Sequence, residues 1–232
     1  MNSRIISVMC GCLVFLAIRS HAADRFYFIA DAGVNFVQDI GFDRIAGVDT
    51  DGFSAEVDPG PKGTVGVGYA FLPALAAELE AGVSYNETRT YSAIIGGVPF
   101  KGDASLWVVP VTVGVTWRPL LPPPASPRPT EINYWGLKVF ERARPFVGAG
   151  AGAAVVFGDI DFPVPSSGSS KTSGEDMVFT YYAKAGLTFP LSDKVELGVQ
   201  YRFSGNPGFE IEDTKADDVL AHSVSAALRV SF

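Results

Sequence analysis

Cysteine is nearly missing from this chain. Its two cysteines, Cys10 and Cys12, both lie within the apolar stretch at the N-terminus. Loss of that stretch excludes disulfides, thiolate catalysis and cysteine–metal chemistry together. Histidine is as scarce: His222 is the only one beyond residue 22. That leaves too few ligands for a metal enzyme, so no metal and no cofactor is expected. No run of 18 or more apolar residues follows the N-terminus, so no helical membrane span is indicated. Charged residues make up 19% of the chain and lean acidic. Arg4 and Arg19 belong to the leader, which leaves 16 of the 18 basic residues against 25 acidic ones. An acidic mature chain is not expected to bind nucleic acid.

What is present begins with a secretory leader. Arg4 supplies the positive start, Ile5 to Ile18 the apolar stretch, and Ser20 and Ala22 the small residues a signal peptidase requires. Residues 1–22 are therefore read as a cleaved signal peptide and 23–232 as a single domain.

That domain alternates apolar with small or polar residues, the period of a strand whose two faces meet different surroundings. Eight such runs are read: 25–38, 62–71, 76–88, 104–117, 144–157, 178–189, 195–203 and 219–232. Each is near the ~9–11 residues that a tilted membrane strand needs. Connections 39–61, 89–103, 158–177 and 204–218 are long and polar, whereas 72–75 and 190–194 are tight. Long loops outside and short turns in the periplasm are the asymmetry of an outer-membrane barrel. The expectation is an all-β, eight-stranded antiparallel up-and-down transmembrane β-barrel with both termini in the periplasm. Residues 118–143 depart from it, being a long periplasmic insertion with a proline-rich start from Pro119 to Pro129 that cannot pair as strand.

Aromatic placement fits lipid. Phe26, Phe28, Phe71, Trp117, Phe189 and Phe232 fall at the periplasmic rim on the apolar register. Phe36, Tyr85, Trp107, Phe157, Phe179, Tyr201 and Phe203 fall at the outer rim. Charges take the other register. Asp31, Glu78, Glu80, Lys184, Glu196, Arg202 and Arg229 all face inward, because Arg or Lys on the lipid side costs ~2–4 kcal/mol at mid-depth. All but Arg202 lie in the periplasmic half of their strands. Buried charges need partners. The expected interior is an ion-pair cluster in which Lys184 and Arg229 are shared among Asp31, Glu78, Glu80 and Glu196.

Other motifs carry little chemistry. GAGAG (148–152) superficially resembles a phosphate loop, but its glycines alternate along a strand and no helix follows. DTDGFSAE (49–56) holds three carboxylates, yet Gly52 comes too early for a calcium loop. NET (86–88) matches a glycosylation sequon at a strand end. SSGSSKTSG (166–174) is flexible by composition.

RPFVGAGAGAAVVF (144–157), VELGVQYRF (195–203) and AHSVSAALRVSF (221–232) make the chain resemble a known group. It is the small outer-membrane β-barrel family that includes the OmpA transmembrane domain, the opacity-type adhesins and the porin-like surface antigens. The resemblance runs from Asp24 to Phe232. It implies the cell outer membrane, contact with outer-membrane lipid, and a C-terminal signal for the barrel-assembly machinery in Leu228, Val230 and Phe232. The family is functionally mixed, so the resemblance sets location and fold and little else. The function expected is a non-enzymatic structural or surface-interaction role, with a host or surface ligand met through four extracellular loops. Two alternatives stand beside it: a narrow porin-like channel and a lipid A-modifying enzyme. The enzyme would need His and Ser at i and i+2 on one face. Position 224 is valine, and Ser223 and Ser225 point opposite to His222, so that constellation is not formed.

Overall fold

The structure is a computed structural model that describes residues 25–45, 48–95, 98–119, 143–164, 168–211 and 214–232. The proposed leader lies outside these residues, as does nearly all of the 118–143 insertion.

Eight long strands form the barrel. They are β1 (Phe26–Val37), β4 (Gly60–Leu72), β5 (Leu75–Ile95), β6 (Val98–Trp117), β7 (Arg144–Val164), β8 (Gly168–Pro190), β9 (Val195–Asn206) and β12 (Val219–Ser231). Four short strands accompany them: β2 (Ile40–Ile45), β3 (Val48–Val57), β10 (Phe209–Ile211) and β11 (Thr214–Ala216). The long strands pair in the ring order β1-β4-β5-β6-β7-β8-β9-β12, and β12 returns to β1. Every pairing is antiparallel. Closure leaves no edge at membrane depth, the condition for keeping backbone N–H and C=O groups out of lipid.

The wall has two faces, as the alternation requires. Along β4, Thr64, Gly66 and Gly68 are buried while Val65, Val67 and Tyr69 are exposed. Val113 is 62% exposed between the buried Thr112 and Gly114. A soluble protein would bury these valines. Here their exposure is to lipid. Aromatic pairs mark both rims, with Phe26 and Tyr69 at 4.8 Å between centroids near the termini and Tyr85 and Trp107 at 4.6 Å near the loops.

The polar connections differ from the sequence reading. Residues 89–103 and 158–177, read as loops, are largely strand: β5 pairs β6 as far as Ile95 and Val98, and β7 pairs β8 as far as Val164 and Gly168. In 39–61 and 204–218 stand the four short strands. At 21 and 23 residues, β7 and β8 are about twice the length a membrane crossing needs. Their outer halves therefore stand in water. There the apolar period that marks a membrane strand lapses, so hairpins rich in Ser, Thr and Gly look like loops.

Above the membrane the strand order changes. β5 leaves β4 and pairs β3, then β3 pairs β2, β2 pairs β11 and β11 pairs β10. With the upper parts of β6, β7 and β8 this makes a second tier of eight strands among the described residues. β10 lies against β8 without a paired register. Inside the loop end sits an apolar cluster of Ile40, Leu106, Ala154, Val156, Val178, Ala216 and Val219. The polarity of the wall has inverted, because a tier surrounded by water must put its apolar side inward.

One amide pair ties the tiers together. Asn35 donates to the Asn86 side-chain oxygen at 3.0 Å, and Asn86 donates to the Asp58 carbonyl at 2.9 Å. Asn86 is 2% exposed, so these bonds are not exchanged with water. Asn86→Ala is expected to destabilise the barrel by about 1–3 kcal/mol, read as an earlier urea midpoint at unchanged slope.

Candidate functional site: the charged barrel interior

Inward positions of β5, β8 and β9 bring four charges across the middle of the barrel. Lys184 on β8 donates to Glu78 at 2.6 Å and also to Glu80. Arg202 on β9 donates to the other oxygen of Glu80. Neither β8 nor β9 neighbours β5, so these bonds cross the lumen instead of running along a ladder. Glu78 is completed by hydroxyls from Tyr27 and Thr116, each donating at 2.6 Å. All four charged side chains are at most 5% exposed.

The ring of Tyr182 fills the layer above. Arg202 stacks on it at 4.2 Å, and Lys184 lies 5.6 Å from its centroid. Glycine makes room for this ring. A Cβ on Gly150 would stand 2.6 Å from the Tyr182 ring, and one on Gly114 would stand 2.3 Å from its hydroxyl. The GAGAG stretch is thus a recess in the wall for a neighbouring side chain.

A second set of charges closes the end that carries both termini. Glu196 on β9 accepts from Arg118 at 2.7 Å, Arg144 at 3.1 Å and Arg229 at 3.4 Å. Arg118 stacks on Phe146 and Arg229 on Tyr27.

The single shared cluster expected from sequence is therefore divided. Lys184 does join Glu78 and Glu80. Arg229 does not serve them and pairs with Glu196. Asp31 faces the interior, but its Oδ1 has no hydrogen-bond partner. Arg202 was placed on the inward face yet left out of the cluster, because it lies in the loop half of β9. It reaches Glu80 because long side chains cross between heights. Lys62, Arg118 and Arg144 were missed. Lys62 stood at the first residue of its predicted strand, and Arg118 and Arg144 flanked the insertion, so none carried a clear register. Lys62 donates to Ser223 at 2.8 Å.

Other sequence candidates lie apart from these charges. Leu228, Val230 and Phe232 lie on the outer side of β12, with Phe232 47% exposed at its end. Ser20 and Ala22 fall outside the described residues. His222 is on the outer wall, with its Nδ1 2.5 Å from the Tyr201 hydroxyl and its Nε2 3.0 Å from the Gln38 amide nitrogen.

Two cavities flank the central layer. One of about 50 Å³ lies toward the loops, lined by Asn35, Lys62, Tyr182, Arg202 and Asn206 among others. One of about 30 Å³ lies toward the termini, lined by Asp31, Arg118, Phe146 and Arg229 among others. Each has room for a few waters, at ~10–15 Å³ apiece.

Comparison with solved structures finds outer-membrane proteins. OmpT, the outer membrane protease of Escherichia coli, is 7% identical with a TM-score of 0.57, covering 93% of this chain and 99% of its own. Neisserial surface protein A is 15% identical with a TM-score of 0.46, covering 89% and 97%. OprG of Pseudomonas aeruginosa is 13% identical with a TM-score of 0.47, covering 90% and 98%. No curated protein sequence matches the chain. The profile of the family described as "Outer membrane protein beta-barrel domain" matches residues 8–232. With the closed ring of eight strands and the lipid-facing valines, this match places the chain in that family of cell outer-membrane β-barrels.

Proposed function

We propose that this chain is a non-enzymatic outer-membrane barrel whose lumen is closed and whose function lies in its outer tier, as a structural or surface-interaction protein. The observation that carries this reading is the layer of Glu78, Glu80, Lys184 and Arg202 bonded across the lumen. An eight-stranded barrel is just wide enough for side chains to fill, and here ion pairs fill it. The investment in strand beyond the membrane supports an outward role.

The environment of His222 supports the non-enzymatic part. Gln38 Nε2 can only donate, so it occupies the lone pair of His222 Nε2. Nδ1 then donates to Tyr201. A ring held this way has no free nitrogen to take a proton from a nucleophile.

Two measurements test the reading. In planar bilayers the protein is expected to give no steady unitary conductance. A reproducible ohmic channel would overturn the closed lumen and favour the narrow-pore alternative. Exchanging the outer tier for short turns should remove surface binding to host or neighbouring molecules while leaving a folded barrel. Binding that survives the exchange would place the function elsewhere.

A further inference from the structure

The charged groups that meet inside the barrel fall into two sets. Lys62, Lys184, Arg202, Arg118, Arg144 and Arg229 stand with Asp31, Glu78, Glu80 and Glu196. Around the central layer the count is even, since Lys62, Lys184 and Arg202 stand with Asp31, Glu78 and Glu80. The excess lies at the termini end, where three guanidiniums converge on the one carboxylate of Glu196.

Hydrogen bonding is incomplete in both sets, since Arg202 Nε in the central layer also lacks an acceptor. The Nε atoms of Arg118 and Arg229 are buried with no acceptor, although both side chains line the 30 Å³ cavity. A buried donor left unmade is costly, more so when charged. Phe146 and Tyr27 cover the faces of these two guanidiniums, so only their edges are open to a partner. Arg144, with its side chain 59% exposed, leads from the rim toward Glu196.

We propose that this mouth is an anion site that takes a free carboxylate arriving from the periplasm. The cavity fits the two oxygens of one carboxylate and little more. Arginine edges are the matching donors, because a planar fork meets a planar acceptor. The carboxylates of Asp31, Glu78 and Glu80 line the same cavity and set its inner limit, since they repel an anion that goes deeper. The carboxylate could belong to a small organic acid or to the C-terminus of a peptide, and the chemistry of recognition is shared.

The test uses the folded full barrel in detergent micelles, with the arginine Nε–H signals followed by NMR at fixed ionic strength. Sodium acetate should shift the Arg118 and Arg229 signals saturably. Arg229→Met should weaken the effect by about tenfold or more. Lys194→Met, which removes a nearby exposed charge in the β8–β9 turn, should leave it intact. A short peptide with a free C-terminus is compared with its amidated form. Tighter binding of the free peptide than of acetate identifies a peptide end, and equal binding identifies a small acid. The proposal is overturned if no titrant gives a saturable shift, the result expected of a cavity that holds water only. It is also overturned if Arg229→Met binds acetate as well as the parent.

Discussion

Replacing Glu80 by alanine is expected to cost about 3–5 kcal/mol of barrel stability. Among the described residues Glu80 is the carboxylate paired with Arg202, and it shares Lys184 with Glu78. Its loss strands a guanidinium that is 5% exposed and leaves it without its carboxylate partner. Breaking one side of a buried pair is far worse than removing the pair. The triple change Glu80→Leu, Lys184→Met, Arg202→Met should therefore recover much of the loss, although Glu78 then loses its ammonium. Urea unfolding in lipid vesicles measures both. If Glu80→Ala costs less than about 1 kcal/mol, the central layer is hydrated and its ion pairs are ordinary surface ones.

Gly33→Val is expected to prevent most chains from closing the ring. Gly33 lies on β1 opposite Ser225 of β12, in the pairing that joins the first and last barrel strands. A Cβ there would stand 2.0 Å from the Val224 carbonyl oxygen and 2.5 Å from the Ser225 Cα. Both are backbone atoms of a strand held on its other side by β9, so neither can yield without breaking a ladder. Overpacking usually costs ~1–3 kcal/mol, and a collision with backbone belongs above that range. Gly63, one strand away on β4, meets only the Asp31 carbonyl oxygen at 3.7 Å and serves as the control. Cold SDS gels distinguish closed barrels from open chains. Gly63→Val should run as a closed barrel and Gly33→Val should not. Equal yields of closed barrel from the two variants would mean that the seam adapts.

The sequence made the barrel legible because lipid imposes one rule on every crossing strand. Val111, Val113 and Val115 alternate with Thr112, Gly114 and Thr116, and the structure keeps that split. Facing was legible for the charges too. What alternation does not carry is height across the lumen. Glu80 and Arg202 meet through the tilt of the whole ring, which no single strand encodes. So the partners of Lys184 and the Glu196 partner of Arg229 were among the carboxylates named, while the division of these charges into two separate sets was not legible. The outer tier was hidden for a different reason. Its strands obey the rule for water, and Leu106, Val156 and Val178 turn inward just where the lipid pattern ends.

The pairing of β2 with β11 has a consequence for recognition. The first and last outer connections, residues 39–61 (loop one) and 204–218 (loop four), lie far apart in the chain and form one sheet. An antibody raised against a synthetic peptide of loop one would learn a shape that the intact surface never presents. Epitopes here are discontinuous, and sequence drift in one loop must be matched by the other for the protein to keep its face.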